Sequence, residues 1–332
     1  MSVLIPTRNE ARHIEACVAA VAAQDFPLDR LEVVVVDGCS QDGTPEAAAR
    51  ALAGHGFART EVVTNPEATT PSNLNAGLAA VRGTYVCRVD ARSLVPPDYV
   101  RRCIAVLAAR PEVVVVGGSQ RALPPRRGAV GAGIARALNN RWAMGLSRYR
   151  RGAPSGPSDT VYLGAFRTAD LRAVGGWRLD FPTNQDFELN RRLGRTGTVW
   201  FESGLEVGYV PRDSIGALFA QYRRFGRWKW RYWRTTGDRP RPRQMVLLAS
   251  PLPVGAALLL AVRRGRAGGV ATLASLGAAA LAAAEALGSD EPDAGPAGHA
   301  AGMVAMAAVG LGWLTGVAAG ALERVGRRTT PR

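Results

Sequence analysis

Two carboxylates in this chain stand where short apolar runs stop. Val33-Val34-Val35-Val36 leads straight into Asp37, and the run Thr84–Val89 leads into Asp90. Short β-branched runs bounded by turn residues read as buried strands. In an open α/β sheet, ligands bind beyond the carboxyl ends of parallel strands. A polar ligand beside Asp37 and Asp90 is one reading. The other is that Asp37 only caps the helix that follows Gly38, Ser40, Asp42 and Gly43. A third acid, Asp186, opens a helix-patterned run, Phe187–Leu193, which would hold it rigidly. Beyond it lies the densest aromatic and basic stretch of the chain. Phe219, Tyr222, Phe225, Trp228, Trp230, Tyr232 and Trp233 interleave there with Arg223, Arg224, Arg227, Lys229, Arg231 and Arg234. Such a stretch suits lipid phosphates at a membrane interface or an anionic polymer.

The elements needed to hold these residues are legible as a repeating pattern. Ser2–Ile5 is a strand, and a helix runs from Glu10 to Ala23. The Asp37 strand is followed by a helix near Pro45–Ala53, a strand near Glu61–Val63, a helix near Ser72–Val81 and the strand before Asp90. Strands alternating with helices predict an α/β fold with a doubly wound, mostly parallel sheet. Thr7, Asp37 and Asp90 would then face one crevice.

Composition narrows the function classes. The chain has 332 residues and a net charge of +15, carried almost wholly by arginine, with Lys229 the single lysine. That balance favours anionic ligands. Cys17, Cys39, Cys87 and Cys103 show no Cys-x-x-Cys spacing and read as reduced thiols. The scattered His13, His55 and His299 argue against a zinc site. The chain enters its first strand without a charged leader, so no signal peptide is expected.

The C-terminal part is of a different composition. Residues 268–287 and 300–322 are Ala/Leu/Val-rich, nearly uncharged and long enough to cross a bilayer. Glu285, near the end of the first, would reach the interface. Residues 245–262 carry Pro251 and Pro253 and read as a re-entrant or interfacial segment. Arg263, Arg264 and Arg266 follow that segment, acids fill the loop at 289–299, and Arg324, Arg327 and Arg328 lie in the tail. The positive-inside rule then predicts a two-crossing hairpin with both ends in the cytoplasm and the acidic loop outside.

The motifs also carry a resemblance. Pro6-Thr7-Arg8-Asn9-Glu10, Val36 through Thr44, and Asn73-Leu74-Asn75-Ala76-Gly77 together resemble the nucleotide-sugar domain of family 2 glycosyltransferases, a GT-A fold. Asn184-Gln185-Asp186 and Gln221-Tyr222-Arg223-Arg224-Phe225 resemble that family's later acceptor-site motifs, in matching order. Within the family the likeness is to membrane-associated glucosyltransferases of succinoglycan-type exopolysaccharide synthesis. It implies a GT-A domain over 1–235, with a nucleotide-binding half at 1–92 and an acceptor half at 93–235 ending in an interfacial helix at 213–235.

The resemblance also assigns roles. Pro6, Thr7, Arg8 and Glu10 would line the base and ribose, and Asp37 would accept a hydrogen bond from a nucleobase N–H. Asn73 and Asn75 would touch the nucleotide or sugar, unless they serve capping and turns. Asp90 matches the first acid of the family's Asp-x-Asp motif, which holds Mg2+ or Mn2+ against the donor diphosphate. This chain reads Asp90-Ala91-Arg92 there, so the second carboxylate is missing, and Arg92 is expected to pair with the phosphates instead. Asp186 would be the general base, with Gln185 replacing the usual neighbouring glutamate and Glu188 the next candidate. Gln221 and Arg224 would bind diphosphate or acceptor. Phe225 stands where tryptophan is usual, with Trp228 a substitute.

The implied activity is inverting transfer of a sugar from a nucleotide-diphosphate donor, a UDP-sugar by preference, to a lipid-linked or growing saccharide. A polyprenyl-phosphate glycosyltransferase is the alternative. A non-enzymatic basic protein binding nucleic acid would leave the strand-end acids and the hydrophobic tail without a purpose, so no nucleic-acid partner is expected.

Overall fold

The structure is a computed structural model, and it describes residues 1–144, 153–249, 267–288 and 294–323. These residues divide into two compact units. One comprises Met1–Leu123 and Ser147–Val210, the other Pro124–Leu146 and Pro211–Arg332.

The first unit is built on one mixed sheet. Strands β1 (Ser2–Thr7), β2 (Glu32–Asp37), β3 (Arg59–Thr64) and β4 (Tyr85–Arg88) run parallel, in the order β3-β2-β1-β4. The sheet continues through β8 (Tyr162–Arg167), which is antiparallel to β4. Beyond it lie β6 (Val113–Ala122), β9 (Thr198–Tyr209) and the short β5 (Ser93–Leu94), while β7 (Gly156–Pro157) pairs with β9. Both sheet faces are covered, as a parallel sheet requires. Side chains alternate across a strand, so Val3, Ile5, Val33 and Val35 enter one core with Ile14, Cys17, Val18 and Val21 of α1 (Ala11–Ala22). That core is completed by α2 (Thr44–Ala53) and α4 (Tyr99–Ala109). Leu4, Val34 and Val36 enter the opposite core, against Leu74 and Leu78 of α3 (Thr70–Ala80) and Leu189 and Leu193 of α8 (Gln185–Leu193). A short α7 (Thr168–Ala173) follows β8. Cys17, Cys87 and Cys103 are buried free thiols, and Cys39 is exposed.

The second unit is helical. It contains α5 (Ala129–Asn139), α6 (Arg141–Met144), α9 (Ile215–Thr236), α10 (Pro242–Ala249), α11 (Ala267–Gly288) and α12 (Gly295–Leu322). The aromatic and basic stretch, which the sequence pattern joins to residues 1–235, therefore clusters with the C-terminal helices. Glycines at 312, 316 and 320 of α12 meet α9 closely. A Cβ at Gly316 would run into the Arg223 carbonyl, and one at Gly226 into the Trp313 carbonyl. Among the described residues, α12 is the helix long and apolar enough to cross a membrane.

Glu285 departs from its expected place at an interface. It is 1% exposed, and its carboxylate accepts from Arg136 Nε at 2.6 Å and lies 2.6 Å from His299 Nδ1. A carboxylate on an apolar helix is too costly to bury unpaired, and α5 and α12 supply the partners. The remainder of segment 245–262 past Ala249, its following arginines, the acids at 290–293 and the tail arginines lie outside the described residues.

Candidate active site

Strand polarity brings the ends of β1, β2 and β4 to one edge of the sheet, so the loops that follow them converge. Asp37 ends β2 and is 1% exposed. Its Oδ1 accepts from Thr7 Oγ1 at 3.2 Å and Ser40 Oγ at 2.5 Å, and its Oδ2 accepts from Ser40 N at 2.8 Å. Asn9 ties the two loops further: its N–H donates to Ser40 Oγ at 2.7 Å, and its Oδ1 accepts from Gln41 N at 2.9 Å. Arg8 is exposed and donates to the Ala68 carbonyl at 2.8 Å. Pro6 lies within β1, in register with Val36. Asn9, Cys39 and Ala68 all adopt left-handed backbone, φ 55°, 55° and 52°. Such non-glycine conformations cost of order 1–3 kcal/mol each and gather at ligand clamps. Here three surround one crevice edge.

The two asparagines assigned to the nucleotide are turned into the protein. Asn73 is 2% exposed; its amide donates to the Thr7 carbonyl at 3.1 Å and accepts from Asn65 at 2.8 Å. A Cβ at Gly38 would lie 2.8 Å from that amide nitrogen, so the approach needs glycine there. Asn75 grips the backbone of Trp177 on both sides, accepting from its N–H at 2.8 Å and donating to its carbonyl at 2.7 Å. Gly176, at φ 63°, makes room for this grip.

A buried arginine organises the acids. Asp90 lies two residues past the end of β4, not on its last residue. Arg88, 5% exposed, donates from Nε to Asp90 Oδ1 at 2.7 Å and from Nη2 to Oδ2 at 3.2 Å. Its Nη1 contacts Asp186 Oδ1, which also accepts from Trp177 Nε1 at 3.3 Å. Asp186 sits in the first turn of α8, where the helix dipole favours a carboxylate. Its side chain keeps 38% of its surface open. Burial pushes the Asp186 carboxyl up, Arg88 draws it back and Asp90 raises it again, leaving it above the usual aspartate range. Burial opposes the charge on Arg88, but Asp186 and Asp90 outweigh it and hold the guanidinium firmly protonated.

Other assigned residues have clear partners. Arg92 does not stand ready for phosphates: its Nε donates to both oxygens of Glu10, at 2.9 and 2.8 Å. Glu188 is held by Arg192 at 2.9 and 3.1 Å and is 5% exposed, which removes it as a substitute base. Gln185 is buried at the start of α8. Gln221, Arg224, Phe225 and Trp228 belong to α9 of the helical unit. There the Phe225 ring meets Tyr222 at 5.4 Å and Arg231 stacks on Trp228 at 4.7 Å.

The residues missed by sequence reasoning are Arg88 and Trp177. Arg88 had a signal: an arginine two positions before Asp90 in an otherwise apolar strand. Spacing by two points both toward one face.

Among the described residues, no three His, Cys, Asp or Glu side chains gather as a metal-binding group. Mg2+ in phosphate-handling sites, however, is held by one or two carboxylates with substrate phosphates completing its shell. Asp90, a hard oxygen ligand one-third exposed, fits that mode.

Residues 2–154 match the model of Glycosyl transferase family 2. The succinoglycan biosynthesis protein ExoA of Rhizobium meliloti is 32% identical over 263 residues, covering 78% of each chain. The protein belongs to glycosyl transferase family 2. Another relative is the dolichyl N-acetyl-alpha-D-glucosaminyl phosphate 3-beta-D-2,3-diacetamido-2,3-dideoxy-beta-D-glucuronosyltransferase of Methanococcus voltae. It is 24% identical over 232 residues, 68% of this chain and 71% of its own. Among solved structures, a mannosyltransferase of Pyrobaculum calidifontis in complex with GDP-Man and Mn2+ superposes with TM-score 0.63. Its identity is 25%, with 93% of this chain and 86% of that one covered. As a family 2 enzyme with a GT-A-like fold, this chain is a glycosyltransferase.

Proposed function

We propose that the enzyme transfers a sugar, with inversion, from a nucleotide-diphosphate donor to a lipid-linked or growing saccharide in polysaccharide synthesis at the inner membrane. A UDP-sugar is the expected donor. The observation that carries this is the Asp90–Arg88–Asp186 assembly. It sets a phosphate-side acid and a helix-borne base on one guanidinium at the sheet edge. The relatives' names support the acceptor class: one is named for succinoglycan biosynthesis and the other for a dolichyl-linked sugar phosphate.

The chain's own residues divide the work. The Thr7, Asn9, Asp37 and Ser40 network shapes the nucleoside edge, so Asp37 acts on the base through the loop it holds and through its own carboxylate. Asp90 faces the diphosphate. A divalent cation there, Mg2+ or Mn2+, would offset charge developing on the departing diphosphate. Asp186 accepts the acceptor hydroxyl's proton while that oxygen attacks the anomeric carbon opposite the leaving group. The exposed arginines of α9 suit a membrane interface.

A transfer assay over UDP- and GDP-sugars, using membrane extract as acceptor source, tests this. Activity should require Asp90, disappear with chelator and return with Mn2+. Full transfer in excess chelator would remove the cation from the reading.

A further inference from the structure

Arg88 has no role in the reaction just described, yet both acids of that reaction depend on it. Asp90 has its two carboxylate oxygens on the guanidinium fork, at 2.7 and 3.2 Å, and among the described residues no other side chain bonds them. A divalent cation serving the donor diphosphate needs an oxygen of the same carboxylate. A bidentate guanidinium and such a cation compete for it. The remaining Nη1 already rests on Asp186 Oδ1, so a guanidinium displaced from Asp90 keeps an anchor. Among the described residues, the hydrogen bonds on Asp186, from Arg88 and Trp177, both land on Oδ1, leaving Oδ2 for an acceptor hydroxyl.

We propose that Arg88 is a positioning residue that exchanges Asp90 for the donor's cation and then holds Asp186 alone, so that donor loading orients the base. The inference rests on the reading of Asp90 as the cation ligand. It requires arginine in particular, because only a planar fork spans two carboxylates in fixed geometry. The absent second acid at Ala91-Arg92 fits the same logic. With a single carboxylate for the cation, the residue bound to that carboxylate controls access to it.

The test is Mn2+ binding by the purified full-length enzyme, followed by electron paramagnetic resonance without donor or acceptor. Asp90→Asn should weaken binding. Arg88→Gln and Arg88→Lys should each tighten it about tenfold, the scale of one charge-assisted hydrogen bond no longer competing for the carboxylate. Arg88→Lys keeps the charge and loses the fork, so it separates displacement from simple repulsion and serves if the glutamine variant does not fold. In transfer assays both variants should lower kcat about tenfold or more while donor KM moves little. Equal Mn2+ affinity in wild type and Arg88→Lys overturns the exchange. Binding that ignores Asp90→Asn overturns instead the reading of Asp90 on which it rests.

Discussion

Asp186 combines a rigid seat, a buried counter-ion and an open face. As a general base it is expected to contribute about 10²–10⁴-fold to the rate. Asp186→Asn preserves shape and removes basicity, so kcat should fall by a corresponding 3–5 kcal/mol or so, read as transition-state stabilisation. Donor affinity by calorimetry should survive, since the change lies on the acceptor side. Near-normal turnover would assign the base elsewhere. The pH profile follows from the same residue. Its carboxyl lies above the ordinary aspartate range, chiefly through burial. A base works only when deprotonated, so activity should fall as pH drops through that raised value. The acid limb of kcat should therefore stand at a higher pH than for a solvent-exposed aspartate.

The end of β2 and the loop to α2 act as one element, because Asp37 accepts from Thr7 and twice from Ser40. Asp37→Ala leaves those donors without their partner, at about 1–3 kcal/mol of local stability. Nucleotide diphosphate affinity should drop strongly while the fold persists, and unchanged affinity by calorimetry would remove Asp37 from the site. In the helical unit, Gly316→Leu should separate α9 from α12, since no side chain fits against the Arg223 carbonyl. An overpacking cost of about 1–3 kcal/mol is expected, read as a lower thermal midpoint and faster proteolysis at α9. The parallel half of the sheet was legible because its strands carry short apolar cores, Val-Leu-Ile in β1 and four valines before Asp37 in β2, and alternate with helix patterns. The mixed half was not: Gly117 and Gly118 interrupt β6, and β9 carries Gly204 and shifts register against β6, its parallel partner. Both acids of the site could be named from sequence. Their arginine carried one local mark, its spacing of two from Asp90, but its link to Asp186 spans 98 positions of chain and had none. The hold of Asn75 on Trp177 was hidden for a like reason, the two lying 102 positions apart.

At the scale of the whole molecule, the apolar helix α12 fits membrane association. The proposed topology has a direct check by cysteine labelling in intact cells. A probe at position 289 should react from outside and one at position 264 should not; the reverse would mean three crossings. The Arg136–Glu285–His299 cluster bears on how such a protein is made. Glu285 leaves the ribosome 149 residues after Arg136, so its counter-ion is already synthesised when the hairpin forms. Cut from the chain, helices α11 and α12 would retain His299 but lose the guanidinium, and breaking a buried pair costs about 3–5 kcal/mol. These two helices are thus no portable anchor: grafted onto another protein, they would carry a buried acid with His299 beside it but without its guanidinium.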